Sequence, residues 1–276
     1  MTSEITTGLS QLYGSRHGDR RRRLFGDTPY SNFGYWAGDD QAIAAACDAL
    51  VDRSARAAGL RAGDRVLEVG CGYGAGAVFY TRRFLPASVV GLDVTDVRVQ
   101  GAREYVSQEG LSDRIEVRIG DATALDFAEA RFDRVIAVEC AFHFKTRRDF
   151  LREAFRVLAP GGGIGVADLI LRKGADREAF LERVHVVGTD GSIDVPENVY
   201  DRDVYAETLR SVGFKSVQIE VITDRTLPFF VRHLERLSRS TGGDAGMRFG
   251  EVGRIFEEYV NLGLEYVLAS ARRPAG

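Results

Sequence analysis

The chain has 276 residues, 45% hydrophobic and 28% charged, with 37 Lys and Arg against 40 Asp and Glu. That composition belongs to a globular protein with a full core, and the net charge of −3 lacks the basic surplus of a nucleic-acid binder. The cysteines Cys47, Cys71 and Cys140 form no CxxC or metal-ligand spacing, so buried, reduced thiols in a cytoplasmic protein are the expectation.

The opening "MTSEITTGLSQLYG" has no basic-then-apolar signal pattern, and no apolar run is long enough to span a bilayer. "RHGDRRRR", Arg16 to Arg23, reads either as a solvated helix face or as a contact for an anionic substrate or surface. From residue 40 helical and strand patterns alternate. "DDQAIAAACDALVDRSARAAGL" is a helix with Asp39 or Asp40 as its cap, and "DRVLEVG" is a strand ended by glycines. Helix "AGAVFYTRRF", strand "SVVGLDV", helix "VRVQGAREYVSQEGL" and strands "IEVRIGDA" and "FDRVIAVE" follow. "RRDFLREAFRVL" is an amphipathic helix stopped by a turn at "APGGG", and "IGVADLIL" is the fifth strand.

Strands separated by such helices form βαβ units, hence a mostly parallel sheet with helices on both faces. After residue 172 come helices "REAFLERVHVVG" and "DRDVYAETLRSVGF", strand "KSVQIEVI", two helices broken by a turn at "TGGDAG", and a last strand "LEYVLASARR". This predicts an α/β fold: a lid segment over residues 1–40, then one domain over 41–276 with helical insertions at about 173–205 and 228–262.

"VLEVGCGYGAG" places Gly70, Gly72, Gly74 and Gly76 between the first strand and its helix, where bare backbone admits a ligand. A glycine loop of this kind also serves dinucleotide enzymes, so three further features matter. Glu68 precedes the loop. Asp93 ends the second strand, where a carboxylate can take both hydroxyls of a ribose. Asp121 ends the third, placed for an adenine amine, with the backbone of Ala122 on the ring edge.

In this order, the set resembles the class I S-adenosylmethionine (SAM) methyltransferases, a Rossmann-like α/β fold with a seven-stranded sheet and a closing antiparallel pair. "RVLAPGGGIGVADLIL" resembles their fourth helix and fifth strand, and "SVGFKSVQIEVI" with "LEYVLASARRP" resembles the closing pair. "PYSNFGYW" is similar to an aromatic segment of the cyclopropane-synthase-related group, whose tyrosines close over the methionine end of SAM. The resemblance gives that role to Tyr30 and Tyr35, the alternative for Tyr35 and Trp36 being a hydrophobic staple, and makes Gln100 a cofactor contact. Val94, beside Asp93, and Glu139, at the end of the fourth strand, complete the implied SAM-contacting set.

His143 stands just past Glu139, at the strand edge where ligands bind in parallel sheets. Two readings stand for it: a general base for an acceptor hydroxyl, with Asp168 fixing its tautomer across the pocket mouth, or a packed loop histidine. "AFHFKTRRDFLREAFRVLAPGG" resembles the macrolide-sugar O-methyltransferases of natural-product metabolism, which implies a small-molecule hydroxyl as acceptor. In the same scaffold, carbon or nitrogen methylation, or a non-methylating cyclase, are the other readings. The turn "ECAFHF" has no Asp-Pro-Pro-aromatic motif for a planar amine, which speaks against a nucleic-acid substrate. His185 and His233 read as surface or lid residues. Asp190, Asp194 and Glu197 crowd one loop without a metal-ligand spacing, so no metal is expected. The exposed helices of the insertions are available to pair two subunits.

Overall fold

The computed structural model describes residue 25 and residues 28–187, 196–241 and 243–276. The basic run at 16–23 and the loop acids Asp190 and Asp194 lie outside the described residues, as does the side chain of His185.

Short β-branched runs become strands, and the alanine- or leucine-rich segments between them become helices. In chain order these are α1 (Ile43–Ala58), β1 (Arg65–Val69), α2 (Ala75–Phe84), β2 (Ser88–Asp93), α3 (Asp96–Gln108), β3 (Ile115–Ile119), β4 (Phe132–Val138), α4 (Arg147–Val157) and β5 (Leu158–Leu171). Then come α5 (Arg177–Val187), α6 (Arg202–Val212), β6 (Lys215–Val221), α7 (Leu227–Thr241), α8 (Gly243–Asn261) and β7 (Leu264–Arg272).

The seven strands form one sheet in the order β3-β2-β1-β4-β5-β7-β6. All neighbours are parallel up to β5, and β7 runs antiparallel to both β5 and β6. The winding reverses between β1 and β4, where Val69 lies level with Leu92 on one side and Ala137 on the other. Such a switch point leaves a crevice outside the carboxyl ends of the strands, because the two following loops depart in opposite directions. The loops after β1, β2, β4 and β5 therefore meet at one edge.

Both faces of the sheet are covered. On one, Phe150, Leu151, Ala154 and Val157 of α4 are buried with Tyr205, Leu209 and Phe214 of the α6 region. On the other, Cys47, Val51 and Ala55 of α1 pack with Val78 and Tyr80 of α2, with Val99 and Ala102 of α3, and with Phe230 and Leu234 of α7. All three cysteines are buried and free. Among the described helices, none is long and apolar enough to cross a membrane.

Local chemistry explains the helix ends, and three expectations are corrected here. The cap of α1 is Ala42, without a side-chain hydrogen bond, while Asp39 instead accepts from Arg232 Nε of α7 at 2.6 Å. "APGGG" is not a free turn but a bulge within β5, which begins as soon as α4 ends: the ladder with β4 passes from Phe132–Leu158 to Arg134–Gly163, and Gly161 sits at φ +77°. Its glycines serve close approach: a Cβ on Gly162 would stand 2.7 Å from Ala159 O, and one on Gly163 would stand 2.2 Å from Ala58 O. At "TGGDAG" α7 runs on to Thr241 and α8 begins at Gly243, so the break is far shorter than the glycines suggest.

Candidate active site

The loop after β1 is built on backbone that other residues rarely adopt. Gly70, Gly72 and Gly74 have φ of +64°, +55° and +82°, the left-handed region where a side chain costs energy. Gly70 has a second reason: a Cβ there would lie 2.5 Å from Cys140 Cβ. At Gly72 a Cβ would meet nothing within 4 Å, so this backbone faces open space. Asp93, at the end of β2, braces the loop: its carboxylate accepts from Gly72 N at 3.0 Å and from Thr95 N at 2.9 Å.

Glu68 points into the same region from β1. It is 4% exposed, and its Oε2 makes no hydrogen bond. Burial raises its pKa to about 8; the adjacent Tyr80 hydroxyl and Ala77 N–H hold it back part of the way, although no bond of ordinary geometry joins Tyr80 to the carboxylate. Tyr30 packs above this corner, donating its hydroxyl to Asp48 of α1. Burial first, then Asp48, raises the Tyr30 pKa and keeps the phenol neutral.

From Tyr30 the chain crosses the strand edge toward β7. Phe33 N donates to Glu139 Oε1 at 2.6 Å, and Tyr266 of β7 donates to the same oxygen at 2.6 Å. Glu139 sits at φ +52°, a strained conformation for a glutamate, and burial lifts its pKa to about 8 against the pull of those two donors. Trp36 is fully buried; its Nε1 donates to Phe33 O at 2.8 Å, and its N donates to Arg225 O at 2.8 Å. The ring of Tyr35 lies 4.4 Å from Arg53 Cζ and 5.8 Å from Arg225 Cζ. Two guanidiniums thus lie over the Tyr35 ring. Phe33, between the two tyrosines, is the residue that reaches the strand edge, touching Phe230, Phe256 and Tyr266.

His143 closes a single helical turn, Ala141–His143, at the mouth of the same edge. Its backbone N–H donates to Cys140 O at 3.0 Å, and its half-buried ring packs on Phe142 with centroids 4.2 Å apart. Asn198, from the first insertion, fixes the turn by donating to Phe142 O at 3.3 Å and to Phe144 O at 2.6 Å. Burial, and after it the charges of Arg98 and Arg147, holds the imidazole pKa down to about 3, so the ring is neutral at physiological pH.

Asp168 does not serve His143. It is fully buried, and its two oxygens accept from Arg147 Nε at 2.8 Å, Arg147 Nη2 at 3.2 Å, Tyr205 hydroxyl at 3.0 Å and Leu169 N at 2.9 Å. A carboxylate has about four acceptor positions, and all are taken, so the expected pairing with His143 is corrected. Arg147 also contacts Tyr200 and Tyr205 through its guanidinium face, which ties α4, β5 and the first insertion together.

The remaining expected contacts are more peripheral. Gln100 is exposed and donates to Asp96 at 2.7 Å on its own helix. Asp121 is exposed at the end of β3 with Thr123 N and Oγ1 both bonded to its Oδ1 at 2.7 Å, while Ala122 beside it is buried. Val94 is half-buried next to Asp93. His233 packs on Trp36 and Phe230, beneath the N-terminal segment.

Residues 66–162 match a family model described as a methyltransferase domain. The erythromycin 3''-O-methyltransferase of Saccharopolyspora erythraea is 35% identical over 267 residues, covering 89% of this chain and 84% of that protein. The chain belongs to the SAM-dependent methyltransferases. The methyltransferase is also 32% identical to the 27-O-demethylrifamycin SV methyltransferase of Amycolatopsis mediterranei, covering 87% of this chain and 89% of the relative. The solved structure of the cyclase SpnF superposes with a TM-score of 0.77 at 26% identity, covering 98% of this chain and 97% of that one.

SAM is the cofactor of this methyltransferase, and the residues present suit it. A buried carboxylate oxygen without a donor, Glu68 Oε2, matches a cationic amino-acid end, and the open backbone at Gly72 leaves room for a ligand against the loop. Phe33, Arg147, Asn198 and Tyr266 were not read from the sequence. Phe33 lies inside the quoted aromatic segment, and Tyr266 is a large polar residue on an otherwise apolar closing strand, so both carried a signal. Arg147 and Asn198 carried none, because their roles depend on long-range pairing.

Proposed function

We propose that this methyltransferase moves the methyl group of SAM onto a hydroxyl oxygen of a natural product of the macrolide or polyketide kind, with His143 as the general base. The observation that carries this reading is the neutral, half-buried imidazole held on a fixed turn at the carboxyl edge of β4. The two relatives named for O-methylation of erythromycin and rifamycin compounds support the acceptor class.

SAM supplies an electrophilic methyl group on a cationic sulfur. Gly70, Gly72 and Gly74 would hold it against bare backbone, with Glu68 taking the ammonium, Asp93 and Val94 the ribose, and Asp121 and Ala122 the adenine. Tyr30 and Phe33 cover the methionine end from the N-terminal segment, whose described residues 28–40 act as a lid that excludes water. His143 accepts the hydroxyl proton as the oxygen gains its bond to carbon; a pKa of about 3 leaves the ring unprotonated but weakly basic, so this role requires that acceptor binding raise it toward the working pH. Phe142 and Phe144 limit solvent around it. Glu139 acts through Phe33 and Tyr266, holding the lid to the strand edge. The insertions at about 173–205 and 228–262 would supply the acceptor pocket, supported from beneath by the mutually packed rings of Phe230, Phe256 and Tyr259.

The experiment is to supply SAM with a carbon-13 methyl group and a panel of hydroxylated macrolides, then locate the label by NMR. A methoxy carbon is the expected product. A label on carbon or nitrogen would replace this reading with one in which Glu139, rather than His143, faces the acceptor.

A further inference from the structure

Far from the strand edge that carries the candidate active site, a cavity of about 550 Å³ opens between α1 and the β6–β7 pair. Arg53, Arg56, Arg272, Ser216, Gln218 and Ser270 line it together with one carboxylate, Glu220. Arg272 lies six steps along β7 from Tyr266, about 20 Å at ~3.4 Å each.

Arg272 is the unusual member. It is half-buried, and its guanidinium donates through Nη1 to Ala58 O at the end of α1. Among the described residues it has no carboxylate partner, whereas Arg53 pairs with Glu220 at 2.6 Å and Arg56 with Asp52. Its charged neighbours are of like sign, Arg134 and Arg61, and with burial they lower its pKa. Buried cations are ordinarily paired, so an arginine kept here without a counter-charge calls for an anion.

The backbone is shaped around that guanidinium. A Cβ on Gly59 would stand 2.4 Å from Arg272 Nη2, and one on Gly163 would stand 1.8 Å from Nη1, so two glycines leave the space it fills. Opposite, the ladder between β6 and β7 shifts register between Lys215 and Gln218, and Ser216 adopts φ +52°. Bulges and left-handed non-glycine residues concentrate where a strand re-aims a side chain toward a ligand.

We propose that this cavity is an accessory binding site for a phosphate group, either inorganic phosphate or the phosphoryl end of a small molecule. With Arg53 on Glu220 and Arg56 on Asp52, Arg272 is the lining guanidinium that no carboxylate takes, and its fork suits tetrahedral oxygens, with the Ser216 and Ser270 hydroxyls and the Gln218 amide as neutral donors. The cavity meets the N-terminal segment only at Arg53, which also lies over the Tyr35 ring, and it includes none of the residues assigned to SAM or to the acceptor.

The test is calorimetric titration of the full chain with inorganic phosphate at constant ionic strength, with SAM saturating so that the donor site cannot take the anion. Parallel titrations use glycerol phosphate and acetate. Wild type is expected to bind phosphate saturably at one site, and acetate at least tenfold more weakly. Arg272→Gln should weaken phosphate at least tenfold. Arg56→Gln, on the exposed face of α1, keeps the fold if Arg272→Gln does not, and should weaken phosphate at least threefold. Glycerol phosphate matching or exceeding inorganic phosphate identifies a phosphorylated small molecule as the ligand; weaker binding identifies the free ion. No saturable binding to wild type, equal affinity in both variants, or acetate binding as tightly as phosphate would overturn the proposal.

Discussion

Glu68 is 4% exposed, and one of its carboxyl oxygens lacks a hydrogen bond, so the fold opposes its ionisation. Its pKa stands at about 8 in the folded chain against 4.5 unperturbed. A group raised on folding contributes stability that is complete below its unfolded pKa and is lost as pH rises through the folded value. At ~1.36 kcal/mol per unit the full loss is about 5 kcal/mol, of which about 3 kcal/mol is gone by pH 7. Glutamine cannot ionise, so Glu68→Gln is expected to match wild type near pH 5 and to be more stable at pH 8. For a chain of this size that difference is on the order of 10 °C in Tm. Thermal melts of both proteins without SAM, at the two pH values, isolate the effect from all other titrating groups. A gap between wild type and variant that is the same at both pH values would refute the reasoning. The same substitution should weaken SAM at least tenfold, since a charge-assisted contact to the ammonium becomes a neutral one.

Two further substitutions separate structural from chemical roles. Gly70→Ala places a Cβ 2.5 Å from Cys140 Cβ at φ +64°, and should cost about 1–3 kcal/mol in urea denaturation and weaken SAM binding, more than Gly72→Ala, which has open space. Arg147→Met strands the buried Asp168 carboxylate and should cost about 3–5 kcal/mol, while adding Asp168→Leu recovers most of that loss. Asp168→Asn should lower stability without moving the pH profile of methyl transfer; a shifted profile would restore Asp168 to the proton path.

The order of elements, the parallel sheet with its closing antiparallel pair and the glycine loop were all legible in the sequence, because each rests on local periodicity or on a left-handed turn. Glu68, Asp93, Glu139 and His143 could be placed at one edge because strand ends are local features and parallel strands share an edge. Asp168 was misjudged for the opposite reason. Its partner, Arg147, begins the preceding helix, and nothing in the spelling of α4 marks an arginine as fully buried. Tyr35 followed the aromatic pattern, yet its ring is held by Arg53 and Arg225, which come from distant parts of the chain. The glycines of "APGGG" and "TGGDAG" were read as turns, although in β5 they serve contact with neighbouring backbone and between α7 and α8 they mark a tight break.

The most direct test of the central claim is the turnover number of His143→Ala against wild type on a hydroxylated macrolide acceptor, with SAM affinity measured on the same preparations. A base removed from the proton path costs about 10²–10⁴ in rate. The account predicts a fall of at least a hundredfold with SAM affinity unchanged. Turnover within about threefold of wild type, in a variant that still binds SAM, would contradict it and leave His143 as packing for the turn over β4.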